Sequence, residues 1–302
     1  METTSPMKQI QSTLETVRTR DSAYSEMTNH FALLFEEKEK VRNELLATTL
    51  QTLDIGDTDM REGIHLLKKR TLSPWTDAFK YAANRLLPVL AEVLQQEKET
   101  DKKIQAHLMD TQNILKLTQA RVNDSMKEFE NTAEELSIPS SILSYYIESI
   151  SSPVFCAVVS SLQKSLSTQT WEYGHCPVCD SSPTISQLSP NTSSSEYLVG
   201  GGGKKYLHCS LCGHDWHYKR NACAACGNED SETREILSPD EMKRERIEVC
   251  HKCDRYMLTI DMRECASLPH LDTLQMGLIH LDIIAQERAL TPIAQTLWNT
   301  IR

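Results

Sequence analysis

Apolar positions in the first half of the chain recur at helical spacing. From Trp75 they fall at Phe79, Ala82, Leu86, Leu90 and Val93, steps of three and four that make one helix face. Ser73 followed by Pro74 offers an N-cap and first-turn pair for that helix. Pro88 falls inside it and is expected to kink it. A second run carries Ile104, Leu108, Leu115, Val122, Met126 and Phe129 inward, with charged residues on the outer face. Phe31, Leu34, Val41, Leu45 and Leu46 mark another helix. Ser152-Pro153 reads as the opening of a further one, with Val154, Val158, Leu162 and Leu166 inward. Several helices with short connections and almost no glycine predict an α-helical bundle.

The pattern changes near Trp171. Arg246 to Val249 and Tyr256 to Ile260 read as strands, and Ser186 to Gly203 reads as a polar loop, ending in Gly200 to Gly203, that is expected to be mobile. Leu271, Leu274, Leu278, Leu281 and Ala285 then restore helical spacing, predicting one amphipathic helix that packs on the bundle or the neighbouring strands. Punctuation separates the halves. The first 170 residues hold one cysteine, Cys156, and two glycines, whereas the remaining 132 hold nine cysteines and eight glycines.

Composition adds bounds. The 302 residues suggest two domains at ~150 residues each. Hydrophobic residues at 39% and charged residues at 25% are ordinary for a soluble globular protein. No uninterrupted apolar stretch approaches ~18 residues, so no membrane span is expected. Met1 to Ile10 lacks an apolar run, so no secretory signal is expected and the cytoplasm is the expected compartment. A net charge of −10, shared as −5 per half, disfavours general binding to nucleic acid or anionic membranes.

Eight cysteines form four C-x-x-C pairs within 78 residues: Cys176/Cys179, Cys209/Cys212, Cys223/Cys226 and Cys250/Cys253. Two thiolates at this spacing reach one metal from a tight turn, and two such knuckles complete a tetrahedral four-sulfur site. Twenty-nine residues separate Cys179 from Cys209 and 23 separate Cys226 from Cys250, both fitting a β-hairpin, while only ten separate Cys212 from Cys223. The spacing favours pairing the first knuckle with the second and the third with the fourth. A cross-braced arrangement, first with third and second with fourth, stays open. Disulfides would need an oxidising compartment, and a thioredoxin-like dithiol would need one pair rather than four. Zinc and iron both suit such sites, as structural ions or, for iron, as a redox centre. Two filled sites, each adding a formal −2, would take the chain from −10 to −14. Cys156 lies in an apolar run and reads as a small core residue, and Cys265 has no assigned role. His175, His208, His214, His217 and His251 flank the knuckles, where each could replace a thiolate or donate toward sulfur or solvent.

The stretch Tyr206 to Gly227 reads YLHCSLCGHDWHYKRNACAACG, preceded by HCPVC at His175 to Cys179 and followed by VCHKCDRYMLTI at Val249 to Ile260 and HLDTLQMGLIHLDIIAQERAL from His270. This order resembles the formate dehydrogenase accessory protein family, FdhE, over residues 171–290. The resemblance implies an α+β chain with an N-terminal all-α helical domain (1–170), two tandem rubredoxin-like, zinc-ribbon modules (171–220 and 221–265) and a C-terminal helix packing back (266–302). It implies two metal ions, zinc or iron, each held by four of Cys176, Cys179, Cys209, Cys212, Cys223, Cys226, Cys250 and Cys253. It further implies a cytoplasmic, non-catalytic maturation chaperone. Such a protein binds the catalytic subunit of a respiratory formate dehydrogenase before export and is needed for its activity. Asp180 and Asp254 stand after the first and fourth knuckles; the family usually has glycine after the first, and glycine relieves the backbone there. Aspartate tolerates left-handed geometry better than most residues, so both sites are expected to survive.

Three other readings compete. A rubredoxin-like iron protein would shuttle single electrons. A nucleic-acid-binding ribbon would use Lys204, Lys205, Lys219 and Arg220 interleaved with Tyr206, Trp216 and Tyr218. An enzyme is the least expected, because Gly200 to Gly203 is not followed by the Lys-Ser/Thr of a phosphate loop and a closed four-sulfur site has no open coordination position. Trp216, Tyr206, Tyr218 and Trp171 offer contact surface for a partner, with Trp216 itself expected to pack over its own ribbon.

Overall fold

A computed structural model describes residues 5–55, 60–68, 70–189, 203–239, 244–265 and 267–300. The fold is α+β, with helices first and a sheet carrying the cysteines after them. Helix α1 spans Pro6–Arg18 and α2 spans Ser22–Leu46. Each starts on a side-chain cap: Ser5 Oγ accepts the Lys8 N–H, and Asp21 accepts from Ala23 and Tyr24. The apolar pattern did not mark α1, although Ser5-Pro6 is the kind of pair that starts a helix. Helix α3, Thr76–Leu94, buries Phe79, Ala82, Leu86, Leu90 and Val93 as the spacing predicts and continues through Pro88. Ser73 does not cap it. Ser73 to Trp75 form a short 3₁₀ turn instead, and Thr71 Oγ1 accepts the Ser73 N–H.

The second predicted run is three helices, α4 (Lys98–Leu108), α5 (Thr111–Val122) and α6 (Met126–Leu136). Asp110 caps α5, and Asp124, at φ +53°, turns the chain between α5 and α6. Met126, expected inward, is exposed at the start of α6. Helix α7 runs unbroken from Ser140 to Leu166, so Pro153 lies inside it rather than opening it. Proline costs an interior helix about 3 kcal/mol. Burial of Leu143, Tyr146 and Ile150 before it and Val154, Val158 and Leu162 after it holds the helix together across the gap. This helix is long and apolar enough to cross a membrane by composition, but 72% of that stretch is buried inside the protein. It is the central core helix, with Phe155 meeting Trp75 and Phe79 edge to face.

Among the described residues seven strands follow: β1 (Ile185–Leu188), β2 (Lys205–His208), β3 (Asp215–Tyr218), β4 (Arg234–Leu237), β5 (Glu245–Cys250), β6 (Arg255–Asp261) and β7 (Thr291–Pro292). The expected strands at 246–249 and 256–260 are β5 and β6. The polar loop, expected from Ser186, starts later because Ser186 to Leu188 pair in β1, and its residues 190–202 lie outside the described residues. The sheet order is β3-β2-β1-β6-β5-β4, with β7 also beside β6. Two antiparallel ribbons therefore join through one parallel pairing, Ser186 to Leu188 against Thr259 to Asp261. A buried polar bridge reinforces the seam. Lys205 Nζ donates to Glu248, which also accepts from Arg234 and from Thr259 Oγ1, and Thr259 meets Ser186 at 2.6 Å.

The single expected C-terminal helix is two, α8 (Leu271–Met276) and α9 (Ile279–Glu287). The break falls at Gly277, where a Cβ would stand 2.6 Å from Val17 Cγ2 of α1. Two cores result. One joins the bundle to the first ribbon through Val178, Leu207, Leu211 and Trp216. The other joins α1 to the second ribbon and α8–α9 through Ile10, Leu14, Val17, Ile247, Leu258, Leu274 and Leu281.

Candidate metal centres

Each knuckle is a repeated backbone device. The N–H of the first cysteine donates to the residue five positions on in three of them: Cys176 to Ser181, Cys209 to His214 and Cys223 to Asn228. The residue after the second cysteine turns the chain with positive φ in all four: Asp180 at 66°, Gly213 at 66°, Gly227 at 70° and Asp254 at 54°. The two aspartates adopt the left-handed geometry expected of them.

These turns gather the eight cysteines into two groups, Cys176, Cys179, Cys209 and Cys212, and Cys223, Cys226, Cys250 and Cys253, with the sulfurs of each group all within 4.8 Å of one another. The pairing is sequential, not cross-braced. In the first group Cys176 and Cys212 Sγ are 3.5 Å apart and Cys179 and Cys209 3.4 Å; in the second, Cys223–Cys253 is 3.8 Å and Cys226–Cys250 3.7 Å. A disulfide needs about 2.05 Å. A tetrahedron with metal–sulfur bonds of ~2.3 Å has sulfurs about 3.8 Å apart, so the donor set and its spacing fit a divalent ion in each group. The metal itself, zinc or iron, is not decided by four sulfurs.

The surroundings differ. All four cysteines of the first group are buried, whereas Cys226 is exposed and Cys253 half-buried in the second. Polar partners reach the sulfur in both: Cys179 Sγ meets Ser181 Oγ at 3.3 Å, and Asn228 Nδ2 donates to Cys250 Sγ at 3.5 Å. Burial raises the Cys250 thiol, but the Asn228 amide and nearby backbone N–H groups outweigh it and hold the thiol down to about 6. Neither Ser181 nor Asn228 stood out in the sequence, since only the folded turn brings them to sulfur.

None of the five flanking histidines belongs to either sulfur group. His208 is clamped between two carboxylates, Nδ1 to Asp215 at 2.8 Å and Nε2 to Asp272 at 3.1 Å. Burial disfavours its charge, but the two carboxylates outweigh that and hold it well above the ordinary histidine range, while Asp272 is held below the ordinary carboxylate range. His251 pairs with Glu235, His175 stacks on Tyr173, His214 stacks on Trp216, and His217 meets Tyr206 edge to face.

Three of the four aromatics considered for partner contact are interior. Trp216 is buried and donates to Tyr173 O, Tyr218 OH donates to Cys223 O, and Trp171 donates to His175 O. Only Tyr206 is half-buried. The basic cluster also dissolves. Lys205 is fully buried on Glu248, and Lys219 pairs with Glu229, leaving Lys204 and Arg220 exposed. Cys156 is half-buried rather than a member of the bundle core. It packs on the second knuckle, its Sγ 2.8 Å from where a Cβ on Gly213 would stand, and burial of the sulfur pushes its thiol up to about 12. Cys265 is half-buried near Asp261 O.

Residues 175–220, which carry the whole first cysteine group, match the family model described as FdhE, central domain. The family these residues support is FdhE. An FdhE homolog of Aquifex aeolicus is 28% identical over 155 residues, 51% of each chain. An FdhE homolog of Shewanella baltica is 37% identical over 90 residues, 29% of this chain and 27% of its own. The chain thus spans about half, or less, of the length of the curated FdhE relatives it matches. The crystal structure of the FdhE protein from Pseudomonas aeruginosa shares the fold over 98% of this chain and 96% of that one, with a TM-score of 0.63 at 18% identity.

Proposed function

We propose that this chain is a cytoplasmic accessory protein that binds the catalytic subunit of formate dehydrogenase during its maturation and performs no catalysis of its own. The observation that carries this reading is the match to the FdhE central domain over the segment that builds the first four-sulfur group. The eight cysteines are the ligands of two metal ions, one per group. A closed set of four sulfurs leaves no position for a substrate, so the metals serve to hold ribbon geometry. Their binding is then part of the folding free energy of the sheet. The surface at Cys226 favours one further role for the second centre: loaded with iron, it is placed for one-electron exchange with a partner at the surface.

The test uses cells that express formate dehydrogenase and lack this chain. Restoring the full chain is expected to restore formate oxidation and to recover the catalytic subunit on the tagged protein. Elemental analysis of the anaerobically purified protein is expected to give two metals per chain. Full enzyme activity without this chain, together with no recovery of the subunit, overturns the reading.

A further inference from the structure

A cleft of about 340 Å³ separates α1, α2 and α7 from the first ribbon and the start of α8. Cys212 and Gly213 of the second knuckle form part of its wall. Three carboxylates line it, and each is already engaged. Glu39 accepts from Arg42 at 2.9 Å and from Asn43 at 3.0 Å. Asp215 and Asp272 are both held by His208, and Asp272 also takes a Gln275 N–H.

The donors are not spent in the same way. Lys38 is half-buried in the cleft, one helical turn from Arg42, and its ammonium makes no hydrogen bond or ion pair among the described residues. His270 caps α8 with Nδ1, which accepts the Thr273 N–H. The same Nδ1 meets Thr273 Oγ1 at 2.9 Å, and with Nδ1 accepting from the backbone N–H the ring proton is assigned to Nε2, which has no partner among the described residues. The side-chain amides of Gln9 and Gln163 are likewise without partners among the described residues. Between these polar groups the wall is apolar, with Ile10, Phe35, Val159 and Leu271. Free cationic and N–H donors select an anionic group. Unspent amides beside an apolar wall suit an extended peptide backbone better than a bare ion.

We propose that this cleft receives an extended acidic segment of the client polypeptide, one carboxylate of which accepts from Lys38 Nζ and His270 Nε2. The inference rests on the reading of the chain as an accessory protein with a polypeptide client. It also gives the first metal centre a part in binding, because the knuckle that the metal holds is a wall of the cleft.

The test uses the metal-loaded full chain and the purified formate dehydrogenase catalytic subunit. Lys38→Glu is expected to raise Kd at least tenfold while metal content and melting temperature stay at wild-type values, and Lys38→Arg is expected to keep wild-type affinity. A photo-crosslinking residue in place of Gln163 is expected to capture a client peptide that contains Asp or Glu. Wild-type affinity in Lys38→Glu, or crosslinks from other surfaces and none from position 163, overturns the cleft and leaves the accessory reading standing. Failure of the wild-type chain to bind the subunit overturns both. Inorganic phosphate is the control for a free oxyanion. If it perturbs His270 while client affinity is indifferent to phosphate and to Lys38→Glu, the site takes small anions and the polypeptide proposal fails.

Discussion

The two cysteine groups are built by the same motif and the same knuckle geometry, yet they stand in different surroundings. Cys176, Cys179, Cys209 and Cys212 are all buried and belong to the same core as α7 and the rest of the bundle. Cys226 of the second group is exposed and Cys253 half-buried, and the ribbon that carries them packs on α1, α8 and α9. The motif fixes the local turn, whereas the neighbours decide how much of the protein depends on the metal. A centre inside a core is lost only with that core. A centre at a rim can be lost while the core behind it persists.

The largest expected effect follows directly. Cys176→Ser should remove one of two metals and destabilise the protein by about 4 kcal/mol or more, the range reached when a structural metal is lost from a core. Cys226→Ser should also remove one metal but leave the bundle intact, with hydrogen-exchange protection lost only in the second ribbon. Metal content and melting curves of the two variants measure this, and equal losses of stability would break the contrast between the centres.

A buried aspartate lies behind each ribbon, and the two are opposite in sign. Asp272 faces the protonated His208, so its ionised form is favoured by folding, a contribution that is lost only as pH falls through the acid range. Asp282 has no cation hydrogen-bonded to it among the described residues, and the charge of nearby His280 offsets its burial only in part. Burial pushes it up from 3.8 to about 6, and its carboxyl accepts from Tyr256 OH at 2.7 Å. Between these two values the folded state holds a proton that the unfolded state has released. Stability therefore falls as pH rises from about 4 to about 6, by on the order of 3 kcal/mol, and stays lower above that. Asp282→Asn should remove this slope and be the more stable protein at pH 7. Denaturant unfolding at several pH values checks it, and an unchanged slope in the variant would assign the effect elsewhere.

Glycines after the second and third knuckles sharpen the same comparison. Gly213 and Gly227 share a left-handed conformation, at φ 66° and 70°. A Cβ on Gly213 would meet Cys156 Sγ at 2.8 Å, while a Cβ on Gly227 would meet nothing within 4 Å. Gly227→Ala should cost about 1 kcal/mol, the backbone part alone, and Gly213→Ala about 2–3 kcal/mol. Adding Cys156→Ala to Gly213→Ala should recover the steric share. The smallest effect is expected at the matching aspartates. Asp180→Gly and Asp254→Gly relieve a left-handed aspartate but loosen the unfolded chain, for a net change of about 0.5 kcal/mol or less.

Much of the site was legible because a knuckle is a local object. Four C-x-x-C pairs and their gaps of 29, ten and 23 residues predicted two sequential groups, and both formed. The α3 face was legible for the same reason, since its apolar period is unbroken. The periodicity misled where one period crosses a break: the run from Ile104 to Phe129 spans three helices, and the C-terminal run spans two. It misled again at Pro153, where packing on both sides outweighs the missing hydrogen bond. Lys205 and Tyr218 read as surface chemistry because composition cannot tell which strand face is covered, whereas Trp216 packs inside its ribbon as expected.

By itself the sequence determined the four knuckles, the residues that turn the chain after each of them and the helical character of the first half, all of which depend on residues close in the chain; the sequential grouping of the knuckles it favoured but left open. Only the tertiary structure decided that β1 and β6 pair in parallel to make one sheet, that α1 joins the second ribbon, and that one centre is buried while the other reaches the surface. Those outcomes depend on burial and pairing between segments far apart in sequence, and no local pattern records which distant face will cover a given residue.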